Sequence, residues 1–333
     1  MAATILLVVA EQSTRDDWRE LLAEQGYDIV EIGIGERAPE LCLHLRPDLV
    51  LIDASLPDVS GFEVCRRLKE DPRNRLTPML MITSFSGQEN LSRAQAAGAD
   101  DLWEPHPSRW EALTRVQSLM QIKTYIDEQA EAVLVSLARS VEARDPYTRG
   151  HSERISSAAV GFGKKIGLSS DQLDALYIAG IVHDIGKVMV PDAVLMKPGR
   201  LDTDEMKIIR QHPVEGERIC SPIKSLRRVL PIIRHHHERI DGSGYPDGLR
   251  GETIPLTARV LQIVDIYDAL TTDRPYRAAF SAQQALATMF EESDLGKLDE
   301  GLMRAFPNYA IAPQAVKAAA GSFEQIRKSR LIN

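Results

Sequence analysis

The chain has 333 residues, 44% hydrophobic and 26% charged, which is the composition of a folded globular protein of about two domains. Its 40 basic and 48 acidic side chains leave a net charge of −8, arguing against a nucleic-acid polymer as partner, because that needs a basic face. Apolar runs reach only about six residues against the ~20 of a membrane helix, and the N-terminus lacks the basic region of a signal peptide. Cys42, Cys65 and Cys220 are scattered and form no CxxC, so a reduced, cytoplasmic setting is expected, away from the membrane.

Residues 4–106 alternate short apolar runs with helical patterns. TILLVV (4–9), DLVLI (48–52) and PMLMIT (78–83) are apolar on consecutive residues, as strands are when both faces of a parallel sheet are buried. Helical periodicity recurs at about 14–25, 36–46, 61–70 and 88–97, punctuated by Gly26, Pro47, Pro78 and Gly98. The pattern predicts an α/β domain over 1–107, a doubly wound parallel sheet of about five βα units. Residues 108–142 hold no Gly or Pro, and Ile126, Ala130, Val133 and Leu137 recur at spacings of four, three and four. One long helix is predicted there. It reads either as a linker that pairs with its copy in a homodimer or as an amphipathic helix packed on its own domain. Over 143–333 the strand patterns stop. Ser169-x-x-Gln172, Asp202-x-x-Glu205 and Ser281-x-x-Gln284 resemble capping boxes, and Pro213, Pro222, Pro255 and Pro313 sit at plausible helix starts. An all-α domain is predicted, with one Gly/Pro-rich loop at 241–251.

Six of the eight histidines fall between 151 and 237: His151, His183, His212 and the run His235–His237. A lone histidine in such a helix is most often structural. Here several histidines, with Asp184 and Asp265, lie in or beside apolar patterns such as IAGIVHDIG and RVLQIVDIYDAL. Burying them all unpaired is costly, and a shared metal centre removes that cost. The spacing is not that of a zinc finger and no cysteine takes part. Mixed imidazole and carboxylate donors suit iron, manganese, nickel or zinc. Six or seven donors are too many for one tetrahedral ion, whereas two ions sharing a carboxylate would use them.

HDIGK (183–187) and HHERIDGSGYPDG (236–248), with DPYTRGHSERI (145–155) and VDIYDALTTDRPYR (264–277), resemble the signature of HD-GYP domains. These are the cyclic di-GMP phosphodiesterase branch of the HD phosphohydrolases, and the resemblance covers about 130–325. It implies that His151, His183, Asp184 and Asp265 bind one metal. Asp184 would bridge to a second, held by His212, His236 and His237, leaving His235 outside the set. Lys187 would lie beside the scissile phosphate and act in catalysis with Asp184. Arg274 and Arg277 would grip phosphate oxygens. Asp241, Gly242, Gly244, Tyr245 and Pro246 would form the loop bordering the substrate. Some members hold a third metal with a Glu four residues before the first His; Tyr147 stands there, so two divalent transition-metal ions are expected, iron or manganese favoured, nickel or zinc possible. Two such ions acidify water and offset the phosphoryl charge, and an Arg fork can donate two parallel hydrogen bonds to a phosphate.

The first domain resembles a response-regulator receiver over about 3–122. Asp53 matches the phospho-acceptor and Thr83 the switch hydroxyl. The family's acidic Mg²⁺-binding pair aligns with Val9 and Ala10, and its Lys aligns with Glu104, before Pro105. A phosphoryl group on Asp53 would be poorly stabilised. The domain reads as a degenerate receiver used for dimerisation or protein contacts, with Asp53 vestigial, although Glu11 could supply one metal ligand and so leaves a working switch open. The combined expectation is a signalling phosphodiesterase that linearises cyclic di-GMP to pGpG and in part to GMP. Its partners would be the dinucleotide, a second copy through the receiver or the linking helix, and other signalling proteins. The rivals are a non-catalytic dinucleotide sensor or docking module, and a hydrolase of another cyclic dinucleotide such as cyclic GMP-AMP.

Overall fold

The computed structural model describes residues 3–83, 88–103, 108–144, 150–273 and 277–310. The expectations for Glu104, Pro105, Tyr147, Arg274 and Pro313 fall outside these residues. The chain divides into two compact units, Met1–Ala130 and Glu131–Asn333.

In the first unit the elements run β1 (Thr4–Val8), α1 (Gln12–Ala23), β2 (Asp28–Ile32), α2 (Ala38–Leu45), β3 (Leu49–Asp53), α3 (Gly61–Glu70), β4 (Met79–Ile82), α4 (Gln88–Ala97), β5 (Asp101–Trp103) and the start of α5 (Arg109–Arg144). The five strands form one parallel sheet in the order β2-β1-β3-β4-β5. Successive side chains on a strand point to opposite faces, so an apolar run feeds two cores. Leu6, Val50, Ile52 and Met81 pack with Cys42, Val64 and Leu68 on one face; Ile5, Leu7, Leu51 and Leu80 pack with Trp18, Leu22, Ala112 and Val116 on the other. This is the doubly wound α/β sheet expected from the apolar runs, and Asp53 ends its central strand.

Helix α5 is 36 residues long and uninterrupted, since nothing in it breaks the hydrogen-bond ladder. Of the four expected seam residues, Ile126 and Ala130 are half-buried, while Val133 and Leu137 are 58% and 50% exposed. The neighbouring stripe of Leu134, Ala138 and Val141 is buried, and Ala138 and Val141 line a small cavity with Ile181, Ile185 and Leu195 of the second unit.

The second unit is helical, as expected: α6 (His151–Lys165), α7 (Ser170–Val182), α8 (Asp192–Leu195), α9 (Thr203–Ile209), α10 (His212–Cys220), α11 (Leu230–His235), α12 (Leu256–Thr271), α13 (Ala282–Asp294), α14 (Glu300–Ala305) and α15 (Pro307–Ala310). The boxes at Ser169, Asp202 and Ser281 all close on α7, α9 and α13. Pro213 lies in the first turn of α10, and Pro255 is the N-cap of α12. Pro222 opens no α-helix, contrary to expectation. The span between α10 and α11 is short, and buried Ile223 and Leu226 anchor it as a single 3-10 turn, Lys224–Leu226. Phe162 of α6 packs edge-on against Phe306, with ring centroids 5.0 Å apart, and fixes α6 near the C-terminal helices.

Candidate metal centre

The expected donors come from helix ends and from one helix face. His151 is the first residue of α6 and His212 the first of α10. His183 ends α7 and Asp184 begins the 3-10 turn Ile185–Met189. His236 and His237 follow α11, and Asp265 lies within α12. Gly186 lets the HDIGK turn press on α10, because a side chain there would collide with the main-chain oxygen of His212. That approach sets Asp184 beside His212.

The structure brings seven of these side chains together in two groups, each with its donor atoms within 4.8 Å of one another: Asp184, His212, His236 and His237, and His151, His183 and Asp265. The Asp184 carboxylate faces both. Its Oδ1 lies 3.2 Å from His212 Nε2 and its Oδ2 3.5 Å from His183 Nε2.

The main chain dictates which nitrogens are free. His183, His212 and His236 each place Nδ1 on the carbonyl three residues earlier, of Gly180, Ile209 and Ile233, at 3.0, 2.8 and 2.7 Å. A carbonyl only accepts, so each Nδ1 carries the hydrogen, and a neutral ring then has a bare lone pair on Nε2. The Nε2 atoms of His212 and His236 face each other at 3.3 Å. Two lone pairs at that distance repel, and a cation between them makes the contact attractive. The donor set therefore fits metal ions.

Burial, then the neighbouring imidazoles, hold His236 and His237 well below the ordinary histidine range; burial also lowers His183. Burial pushes Asp184 up, but Lys187, His183 and His212 overcome it and hold the carboxyl well below its ordinary value. The three depressed imidazoles stay neutral when folded but titrate near 6.5 when unfolded. Below that pH the unfolded chain gains protons that the folded chain refuses, so the metal-free protein should melt at lower temperature as pH falls from about 7 to 5. His151 is lowered by burial but raised more by Asp268, Asp265 and Asp184, and offsets part of this. Thermal melts of chelator-treated protein test the sign; a flat or rising Tm would contradict the burial of these rings.

The 241–251 loop closes over one edge of the centre. Glu238 is fully buried and accepts from the main-chain N–H groups of Asp247, Gly248 and Leu249 at 2.7, 3.1 and 3.1 Å. Asp241 accepts from the N–H and hydroxyl of Ser243 and so shapes the turn. Gly242 has φ +80°, which favours glycine, and a side chain at Gly244 would strike Glu238 and Arg239. Tyr245, joined to Pro246 by a cis bond, stacks on His237 with centroids 4.9 Å apart, and the Arg210 guanidinium lies 5.2 Å from the Tyr245 ring centre. His235 lies in neither group: its Nδ1 is 3.5 Å from Asp247 and 3.9 Å from Glu238.

Lys187 Nζ donates to Asp184 Oδ2 at 2.6 Å, and both side chains are about one-fifth exposed. Arg277 does not point its fork freely outward. Its Nη2 donates to the carbonyls of Ala269 and Leu270 at 2.6 and 3.3 Å, capping α12, and its buried Nε has no partner among the described residues. Four residues that sequence reasoning missed also stand here: Glu238, Glu142, which accepts from the His151 N–H at 2.8 Å, and the pair Arg154 and Asp268 beside His151. The signal for the pair was spacing, each lying three residues beyond an expected ligand on the same helix face.

In the first unit, Asp53 accepts from Ser55 N–H at 2.8 Å, and burial raises its carboxyl. Val9 is buried in the core, and the Val9 and Ala10 carbonyls take hydrogen bonds from Arg15 at 2.6 and 2.7 Å. Thr83 is buried at the end of β4. No helix among the described residues is long and apolar enough to cross a membrane.

Comparison with known proteins gives two family matches: "Response regulator receiver domain" over residues 5–104 and "HD domain" over 136–302. The chain is 32% identical over 317 residues to the cyclic di-GMP phosphodiesterase response regulator RpfG of Xanthomonas campestris pv. campestris, covering 88% of this chain and 84% of that one. It is 31% identical over 326 residues to a cyclic di-GMP phosphodiesterase of Thermotoga maritima, covering 89% and 87%. A 3'3'-cGAMP-specific phosphodiesterase of Vibrio cholerae is 36% identical over 172 residues, covering 52% of this chain and 40% of that one.

Proposed function

The chain belongs to the response-regulator family that joins a receiver domain to an HD domain, and from that membership we propose that it is a metal-dependent phosphodiesterase that hydrolyses cyclic di-GMP to linear pGpG and in part to GMP. The observation that carries the reading is the convergence of two donor groups on the single Asp184 carboxylate, with the Nε2 atoms of His212 and His236 facing each other at 3.3 Å. His151, His183 and Asp265 would hold one ion, His212, His236 and His237 the other, with Asp184 shared. Two divalent ions, iron or manganese before nickel or zinc, would supply the positive charge that offsets the phosphoryl oxygens and acidifies the attacking water.

The protein's own groups do the rest. Lys187 places a cation at the exposed edge of Asp184, where it can pair with the phosphoryl group and protonate the departing 3′-oxygen. Arg277 and Arg274 are assigned the task of gripping phosphate oxygens. Asp241, Gly242, Gly244, Tyr245 and Pro246 wall the substrate side, where the Tyr245 ring offers a surface for a base. The setting is cytoplasmic, consistent with three free, buried cysteines. Homodimers would form through the receiver or through Val133 and Leu137 on α5, and other signalling proteins could dock on the receiver.

The test is to incubate the metal-loaded protein with cyclic di-GMP and with 3'3'-cGAMP and to identify products by chromatography. Linear pGpG formed faster than any cGAMP product supports the proposal; an unchanged cyclic di-GMP peak overturns it. The receiver is proposed to be phosphorylation-silent. Val9 and Ala10 stand where Mg²⁺ carboxylates are needed, and Glu104 would repel a phosphoryl group of about −2 charge. Acetyl phosphate with Mg²⁺ should leave Asp53 unlabelled, and Asp53→Ala should keep turnover within about twofold, because only a coupled switch shifts it by a kcal/mol or more. Acid-labile phosphate together with a large change in turnover would refute this.

A further inference from the structure

Three imidazoles of the centre are held by the main chain, and His151 is not. His183, His212 and His236 each rest Nδ1 on a carbonyl three residues back. His151 opens α6 directly after Gly150, whose φ of +72° lies in the left-handed region. Its ring is held by a side chain instead: Nδ1 lies 2.8 Å from Asp268 Oδ2. Asp268 is three residues beyond Asp265 on α12, so the two carboxylates share a helix face and take opposite sides of one ring. His151 Nε2 lies 3.4 Å from Asp265 Oδ1. Arg154, three residues beyond His151 on α6, donates to both Asp268 oxygens, Nε at 2.6 Å and Nη2 at 2.8 Å. The result is a closed side-chain link between α6 and α12.

We infer that Asp268 is the positioning residue that turns His151 Nε2 toward the first metal, with Arg154 as the clamp that fixes Asp268. A carboxylate accepts only, so it keeps the hydrogen on Nδ1 and leaves Nε2 free. It also stops the ring from rotating about its Cβ–Cγ bond, which would exchange the nitrogens. Arg154 spans both oxygens, so the carboxylate cannot swing onto a metal itself. The two sites are thereby unequal: in the Asp184, His212, His236 and His237 site two imidazoles are held by backbone carbonyls, whereas in the His151, His183 and Asp265 site only His183 is, and His151 depends on a replaceable side-chain relay. The inference rests on the two-ion reading proposed above.

Apoprotein of the full chain is titrated with Co²⁺ alone, followed by visible absorption and calorimetry. Wild type should take up two ions. Asp268→Ala should weaken one of them by about 10–100-fold, the usual cost of losing a partner behind a metal-bound histidine, while the other keeps its affinity and band. Asp268→Asn retains an acceptor for Nδ1–H and should recover part of the loss, and Arg154→Ala should fall between. Apoprotein melts of all four proteins, matched within a few degrees, exclude a folding defect. Two ions bound by Asp268→Ala with wild-type affinity overturn the positioning role and leave the two-ion reading standing. Equal weakening of both sites, or no recovery in Asp268→Asn, overturns it too. Fewer than two ions in wild type overturns the two-ion reading and this inference with it.

Discussion

Asp184→Ala should emerge from purification with most of both metal ions missing and with turnover reduced at least about a thousandfold, the scale of removing several kcal/mol of metal charge stabilisation. The geometry explains why one substitution reaches both sites. Asp184 alone among the donors faces both groups, with one oxygen 3.2 Å from His212 Nε2 and the other 3.5 Å from His183 Nε2. Without it the remaining donors are five imidazoles and Asp265, and half of the donors' negative charge, which would balance two dications, is gone. Lys187 loses its ion pair with Asp184 at the same time. Elemental analysis of variant and wild type gives the answer directly. Full metal in the alanine variant would refute the shared carboxylate, whatever the activity. Loss of one ion only would assign Asp184 to a single site.

How much of this was legible in the sequence follows from burial. Strands β1, β3 and β4 read plainly because both their faces are covered, so all but the end residues Thr4 and Asp53 are apolar. The edge strands β2, with the sequence DIVEI, and β5, with only three residues, do not, because edges need less apolar surface and tolerate charge. The capping boxes were equally plain, since each is a local bargain between a side chain and its own backbone. The donors could be named because histidines in apolar helices are costly and therefore conspicuous. Their grouping came only from the family resemblance: His151 and Asp265 are 114 positions apart, and nothing local says that α6 and α12 cross there. For the same reason Asp268 was passed over, although it lies one turn beyond Asp265. Arg277 shows the opposite limit. Its charge suggested a phosphate, but a guanidinium near the end of α12 also finds helix carbonyls, and its Nη2 goes to those of Ala269 and Leu270.

Lys187 divides chemistry from metal binding. It sits 2.6 Å from Asp184 Oδ2 yet belongs to neither donor group, and as an ammonium it has no lone pair to give a metal. Lys187→Ala should therefore keep wild-type metal content, while turnover falls by about 10²–10⁴-fold, the range for losing a positioned proton donor. KM should change little, because the gain in charge pairing comes as the 3′-oxygen leaves rather than when substrate docks. Arg277→Ala should show the reverse: a raised KM, kcat nearly kept, and a somewhat lower Tm, because the Ala269 carbonyl loses its Arg277 donor while Leu270 keeps the Phe280 N–H. Steady-state kinetics with elemental analysis on both variants separates the roles. If Lys187→Ala loses metal in step with activity, the lysine acts by holding the Asp184 carboxylate in place, and the proton-donor role falls. If it keeps both metal and turnover, the cation at that edge plays no part in bond cleavage, and the donor to the leaving oxygen must be sought among the groups of the 241–251 loop.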